Sequence, residues 1–239
     1  MPRTLEQWTV LPHDPPRRVT DDILTVVGEI DMPLMTLPRR MTVVRLKDGG
    51  LVVFSAIALD EGEMKRLEDF GTPAFLIVPN DHHRMDAKAW KQRYPAIRVI
   101  APPGARAAVE EVVPVDATEA DFGDPSVRLV IVPGTGGREA ALEVRRPGGL
   151  TLVVNDVIAN IRDAHGFGGW LLKRMGFAGD EPHLPAPVRR AMVEDRKALR
   201  AQFLAWANDA ALRRILVSHG EPIEEDPQGR LAALAAALD

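Results

Sequence analysis

The residues with the most chemical potential lie in the stretch Ile77-Val78-Pro79-Asn80-Asp81-His82-His83-Arg84-Met85-Asp86. An apolar run, Ala74 to Val78, hands over to a loop with two histidines, two aspartates and an asparagine. Imidazole and carboxylate are the donors that a zinc-like metal takes when thiolate is absent. The loop alone also reads as a helix start. Asp86 suits an N-cap, with Trp90 and Tyr94 following at i+4 spacing, and for the loop by itself the cap is the weightier reading. Two other apolar runs end in similar residues. Leu150–Val154 leads to Asn155-Asp156, and Arg214–Val217 leads to Ser218-His219-Gly220. Strand ends on one edge of a layered sheet converge. His82, Asp156 and His219 would then make a metal site or a His–Asp acid–base pair. Taken singly, His82 reads as exposed loop, Asp156 as a helix cap and His219 as a strand-end hydrogen-bonding residue.

Other candidates carry less. Pro133-Gly134-Thr135-Gly136-Gly137 has no Gly-Lys-Ser/Thr after it and reads as a turn, not a phosphate loop. Asp163 and His165 could supply ligands, although histidines in loops are usually solvated. His13 and His183 stand beside prolines and are assigned to structure.

Composition narrows the field. With no cysteine, disulfides, thiolate nucleophiles and zinc–thiolate sites are excluded. The formal net charge is -4 with both signs interspersed, and the arginine pairs are scattered, which argues against a nucleic-acid partner. Hydrophobic residues make up 46% of 239, enough for a sizeable core. The first residues lack a basic-then-apolar signal pattern, and no apolar run approaches the roughly 20 residues of a membrane span. The expectation is a cytoplasmic protein with no membrane partner.

The elements that must position these residues can be read in order. Residues 1–22 are an extended lead-in, held to the body by Trp8. Ile23–Ile30, Met41–Leu46 and Leu51–Leu59 read as strands, the last two joined across Lys47-Asp48-Gly49-Gly50, a hairpin signal. A helix over 61–70 capped by Asp60, the strand Ala74–Val78, a helix over 86–94, the strand Arg98–Ala101 and a helix through Glu111 then alternate, with Val112–Val115 as a further short strand. Val127–Val132, Ala140–Val144 and Leu150–Val154 form a meander. The glycine-rich apolar segment 159–185, with Phe167 and Trp170, reads as a lid over a hydrophobic substrate, a homodimer contact, or an insertion packed on its own domain. One helix is expected from Pro187 to Asn208, its apolar stripe interrupted by Asp195, which needs either a bend or an arginine partner. A last strand, Arg214–Ser218, and a final helix with Leu231, Leu234 and Leu238 close the chain.

This order resembles the metallo-β-lactamase-like superfamily, and most closely an uncharacterised bacterial branch of it. The resemblance runs from about Thr25 to Glu221. It implies an α/β fold, a four-layer αβ/βα sandwich with mixed sheets, as one domain over 1–239 with a helical, apolar insertion at about 159–208. Val78–Asp86 stands where the family has its His-x-His-x-Asp-His loop. Val132-Pro133-Gly134-Thr135 matches its Pro-Gly-His turn, Asn155-Asp156 its Gly-Asp, and His219-Gly220 its final His-Gly.

The departures are as informative. Asn80 stands where the family has its first histidine, Arg84 where it has aspartate, Met85 where it has the next histidine, and Thr135 where the turn histidine belongs. His82, Asp156 and His219 are retained. The family's Asp-Thr-Gly after the opening hairpin reads Ser55-Ala56-Ile57. A two-metal centre needs donors to offset about four positive charges, and one carboxylate with two imidazoles falls short. Arg84 adds a fixed cation that could pair with Asp156 instead, and Met85 is too soft a donor for zinc.

Three readings follow. The first is a hydrolase with a reduced site. It has one divalent metal (zinc, manganese or iron) on His82, Asp156 and His219, with Asp81, His83 or Asp86 as alternates. Asn80, Arg84, Thr135 and Trp170 line the pocket, and a metal-activated water acts on a hydrophobic ester or lactone. The second is a metal-free protein that keeps the fold, with Arg84, Asp156 and His219 as a buried network, and binds a small-molecule ligand or a partner. The third is a metal-free His219–Asp156 pair with Ser55 or Ser218 as nucleophile, ranked last because no Gly-x-Ser-x-Gly elbow is present.

Overall fold

Asp48 and Gly49 make the turn that their types require. Gly49 takes φ 87°, and the Asp48 carboxylate accepts from the Gly50 amide at 2.9 Å. The turn joins β3 (Met35–Arg45) to β4 (Gly50–Phe54), antiparallel with Val44 opposite Val52. The computed structural model describes residues 4–32, 35–162 and 166–239. The chain divides into one unit of residues 1–30 and 38–128 and another of residues 31–37 and 129–239.

The first sheet runs in sequence order: β1 (Arg17–Thr20), β2 (Ile23–Met32), β3, β4, β5 (Thr72–Ile77) and β6 (Arg98–Ile100). Its β4, β5 and β6 are parallel, because α1 (Glu61–Phe70) and α2 (Ala87–Arg93) provide the crossovers. The Asp60 carboxylate caps α1 by accepting from the Glu63 amide, and Met64, Leu67 and Phe70 are buried, as the spacing predicts. These join Trp90 of α2, Val109 of α3 (Arg106–Glu110) and the strand residues Val43, Val53 and Leu76 in one core. Trp8 does anchor the lead-in: its indole N–H donates to the Leu59 carbonyl at 2.8 Å, and its ring lies 5.6 Å from Trp90. Val112–Val115 forms no strand; Ala117 instead makes a single parallel bridge to Ile100.

The second unit is built on a four-stranded sheet ordered β10-β9-β8-β7, from β7 (Val127–Ile131), β8 (Ala140–Arg146), β9 (Gly149–Asn160) and β10 (Leu212–Gly220). β8 and β9 are antiparallel, and β10 joins β9 in parallel. The core holds Leu152, Val154 and Val217 against Phe203 and Trp206 of α6 (Arg196–Ala207) and Leu231 and Leu234 of α7 (Pro227–Ala236).

Two expectations are corrected here. The helix read over Pro187–Asn208 is two helices, α5 (Ala186–Met192) and α6, broken at Val193–Asp195. Asp195 is the N-cap of α6, exposed and accepting from the Ala198 amide at 3.0 Å, so the carboxylate on the apolar stripe is a helix start. The break is held by Gly134 (φ 82°), whose carbonyl accepts from the Glu194 and Asp195 amides, and which has Asp195 backbone where a side chain would go. The strand read as ending at Val154 continues to Asn160, which places Asp156 inside β9.

Within this unit, α4 (Gly166–Met175) buries Leu172 with Ile161, Ala178, Met35 and Leu37. Phe167 and Trp170 face outward, 66% and 58% exposed and stacked with centroids 5.7 Å apart. Asp163 and His165 lie outside the described residues. Among the described residues, no helix is long and apolar enough to cross a membrane.

Candidate metal and acid–base residues

In the second unit the chemistry gathers where β9 and β10 fall out of register. Val217 pairs with Val154, but His219 pairs with Ala159. The partner strand therefore carries extra residues, Asn155 to Ile158, opposite Ser218, and such an irregularity re-aims side chains. Asp156 sits in this stretch, and its Oδ1 lies 3.1 Å from His219 Nε2, with both side chains 11% exposed. Glu139, fully buried, accepts from the Val157 amide at 3.3 Å and braces the stretch directly after Asp156. On the other side Gly220 (φ 101°) presses against the Asn160 carbonyl, where a β-carbon has no room. Asn160 is tied in turn to Glu221 through the Glu221 amide and carbonyl. The His-Gly pair thus has a mechanical reason: the glycine lets the two strands close, and the histidine before it meets Asp156. Ser218 is buried, with its hydroxyl 3.5 Å from the Val154 carbonyl.

In the first unit the histidine loop is shaped by Asn80. Its buried Oδ1 accepts from the His82 and His83 amides at 2.9 and 3.0 Å, an Asx-type turn that sets the two rings on different courses. His82 is directed to solvent, its side chain 57% exposed, with Nδ1 2.7 Å from Asp81. His83 turns toward the sheet and places Nδ1 2.7 Å from the Ser55 hydroxyl. Ser55 follows β4 at φ 57°, one of two non-glycine residues with positive φ among those described.

The remaining loop residues are engaged within the same unit. Arg84 pairs with Glu111 at 2.7 Å and with the Ala108 carbonyl, so its charge is compensated without Asp156. Asp86 stands at the N-cap position of α2 but makes no cap bond. Its carboxylate is buried in an ion pair with Arg39 and accepts from the Ala58 amide at 3.0 Å. Burial pushes that carboxyl up, against the opposing pull of Arg39 and the Ala58 amide. Met85 lies under the same guanidinium, with sulfur 3.6 Å from Arg39 Nη1. In the second unit Thr135, fully buried, donates to the Val132 carbonyl at 2.7 Å and closes its turn.

Sequence reasoning did not single out Glu139 or Arg39. Glu139 follows the glycine turn as an ordinary polar residue, and only its burial marks it. Arg39 sits in an exposed-looking Arg-Arg pair, yet it is 5% exposed.

No protein-family model and no curated protein matches this chain. Solved structures do. A metallo-β-lactamase of Pseudomonas aeruginosa, FIM-1 in its mono-zinc form, is 13% identical, with a TM-score of 0.64 over 95% of this chain and 96% of its own. DIM-1 metallo-β-lactamase exposed to ceftazidime is 11% identical, with a TM-score of 0.65 over 97% and 100%. A metallo-β-lactamase of Erythrobacter litoralis is 14% identical, with a TM-score of 0.61 over 93% and 96%. At these identities the likeness is one of fold, and on it the chain has the metallo-β-lactamase-like α/β sandwich fold.

Proposed function

We propose that this protein is a hydrolase-type member of its fold class with a single divalent metal in place of two, to which Asp156 and His219 contribute ligand atoms. A carboxylate and an imidazole are both donors suited to such an ion. The observation that carries the reading is the Asp156–His219 contact, built by a register shift and by a glycine that lets the two strands close. A two-metal group does not fit this chain. Asn80 is committed to backbone amides, Arg84 to Glu111, Met85 to the Arg39 contact and Thr135 to a carbonyl.

When bound, the ion supplies Lewis-acid polarisation of a substrate carbonyl. The chain's own residues orient the rest. Asp156 and His219 fix one another, and Glu139 holds the backbone beside them. The stacked, exposed Phe167 and Trp170 favour a hydrophobic ester or lactone.

Elemental analysis after purification without chelator and challenge with Zn²⁺, Mn²⁺ and Fe²⁺ tests this. About one ion per chain is expected, lost in Asp156→Ala and His219→Ala. No ion under any loading condition would sink it. The second reading, a metal-free protein that binds a ligand or partner, is favoured by the same contact: Asp156 and His219 already satisfy one another without a metal. Under it, both variants lose stability and no ion is bound by any of them.

A further inference from the structure

We propose that the cavity between the entry to α5 and the end of α7 binds a small apolar monocarboxylate, with its hydrocarbon body among alanine and leucine side chains and its carboxylate on Arg189. The site uses residues other than Asp156 and His219 and does not rest on the hydrolase reading. The cavity has a volume of about 170 Å³ and is lined only by residues of the second unit. Its origin is legible in α7. Leu234 and Leu238, one turn apart, are buried and join the core of this unit, whereas Ala233 and Ala237, also one turn apart, are exposed. Side chains of a single carbon at those two positions leave room that longer ones would fill. Pro182, which is buried, and Leu184, packed on the same core, supply a second wall. An apolar cavity of about 150 Å³ holds a benzene-sized hydrocarbon, so the space here takes a single ring or a chain of about six carbons.

Charge selects the head group. No carboxylate lines the cavity, and the lining side chains that carry nitrogen are those of His183 and Arg189. His183 is committed to the backbone. Its Nδ1 lies 3.0 Å from the Glu181 carbonyl and its Nε2 3.3 Å from the Gly176 carbonyl, so the ring serves as wall. Arg189 is exposed and held one turn into α5, its amide donating to the Pro185 carbonyl at 2.9 Å. Among the described residues none pairs with its guanidinium. The acids that flank the lining segments are taken: Glu181 pairs with Arg230, and Asp239 with Arg200 at 2.7 Å. A fork of N–H donors beside an apolar cavity, with no acid to neutralise it, matches a planar carboxylate on a hydrocarbon body. A neutral ligand would leave the guanidinium unused, and a dianion would have to desolvate its second charge against alanine and leucine.

Titration of the whole protein with hexanoate tests this, followed in ¹H–¹³C spectra of the alanine, leucine and valine methyls, with hexan-1-ol as the uncharged control. Saturable shifts centred on Ala233, Leu234, Ala237 and Leu238 are expected, with a Kd on the order of 1 mM. Arg189→Gln should weaken hexanoate about threefold to fivefold, the effect of an exposed ion pair, and leave hexan-1-ol unchanged. Ala237→Leu should fill the space and weaken both ligands at least about tenfold, and Ala233→Leu should do the same from the preceding turn. Both leucine variants change exposed positions, and circular dichroism matching wild type confirms that they are folded. Hexanoate that shows no saturation, binds no better than hexan-1-ol, or keeps its affinity in both folded leucine variants overturns the proposal. So do shifts confined to Val154 and Val217, the strand residues that lead to Asp156 and His219.

Discussion

At the scale of single residues, the largest electrostatic commitment is the Arg39–Asp86 pair. Both side chains are at most 6% exposed, and the Ala58 amide also binds the carboxylate. Removing one member of a buried pair leaves the other desolvated and uncompensated. Asp86→Ala should therefore cost about 3–5 kcal/mol, read as a lower denaturation midpoint in urea. A cost below about 1 kcal/mol would mean that Arg39 finds water or another acceptor. Because burial raises the Asp86 pKa, its folded form holds a proton more readily than its unfolded form. This group then disfavours the fold as pH rises through the carboxylate range, the reverse of Asp209, which Arg145 and the Ala211 amide hold below its usual value.

At the scale of elements, two features have measurable consequences. Gly134 allows the α5–α6 break by its positive φ and its closeness to the Asp195 backbone. Gly134→Ala should cost about 2 kcal/mol or more, since the methyl meets backbone that cannot swing aside, and thermal denaturation against wild type would show it. Tyr94 ends α2, with its hydroxyl donating to Glu68 at 2.6 Å. Burial first and Glu68 second push its phenol up from 10.0 to about 12. It is the only tyrosine in the chain, so absorbance titration near 295 nm reads it without ambiguity. The folded state holds this proton more tightly than the unfolded one. The fold should thus lose stability as pH climbs from about 10 to about 12. A native midpoint near 10 would contradict the buried environment described for the ring.

At the scale of the whole molecule, the aromatic face of α4 lies apart from the residues of that helix that pack on the core. Phe167 and Trp170 contribute little to the core, which is reached by Leu172 from the same helix. Trp170→Ala should leave the melting temperature close to wild type, within about 0.5 kcal/mol. Under the proposed hydrolase reading it should raise KM several-fold for a long-chain ester, with a smaller effect on a short-chain one. Equal effects on both esters would remove the argument for a hydrophobic substrate.

The sequence by itself determined the local order of this protein. Period-2 and period-3.6 patterns, the Asp48-Gly49 turn and the Asp60 cap specify elements through neighbours a few residues apart, and these came out where they were read. Resemblance at the strand ends supplied the fold class, and 11–14% identity with proteins of that fold shows how little else survives in the residues. Tertiary structure decided what depends on distant partners. Asp86 looked like a cap because its preference for helix starts is local, but Arg39, 47 residues earlier, claimed it. Asp195 looked buried because a periodic stripe ran through it, but a turn 61 positions back at Gly134 broke the helix there. Asp156 lies within β9 because β10, added in parallel from far along the chain, extends the ladder beyond Val154 and sets His219 against it. Residue type and spacing report the energy of short-range choices, whereas pairing across tens of residues follows from burial and register, which exist only once the chain has folded.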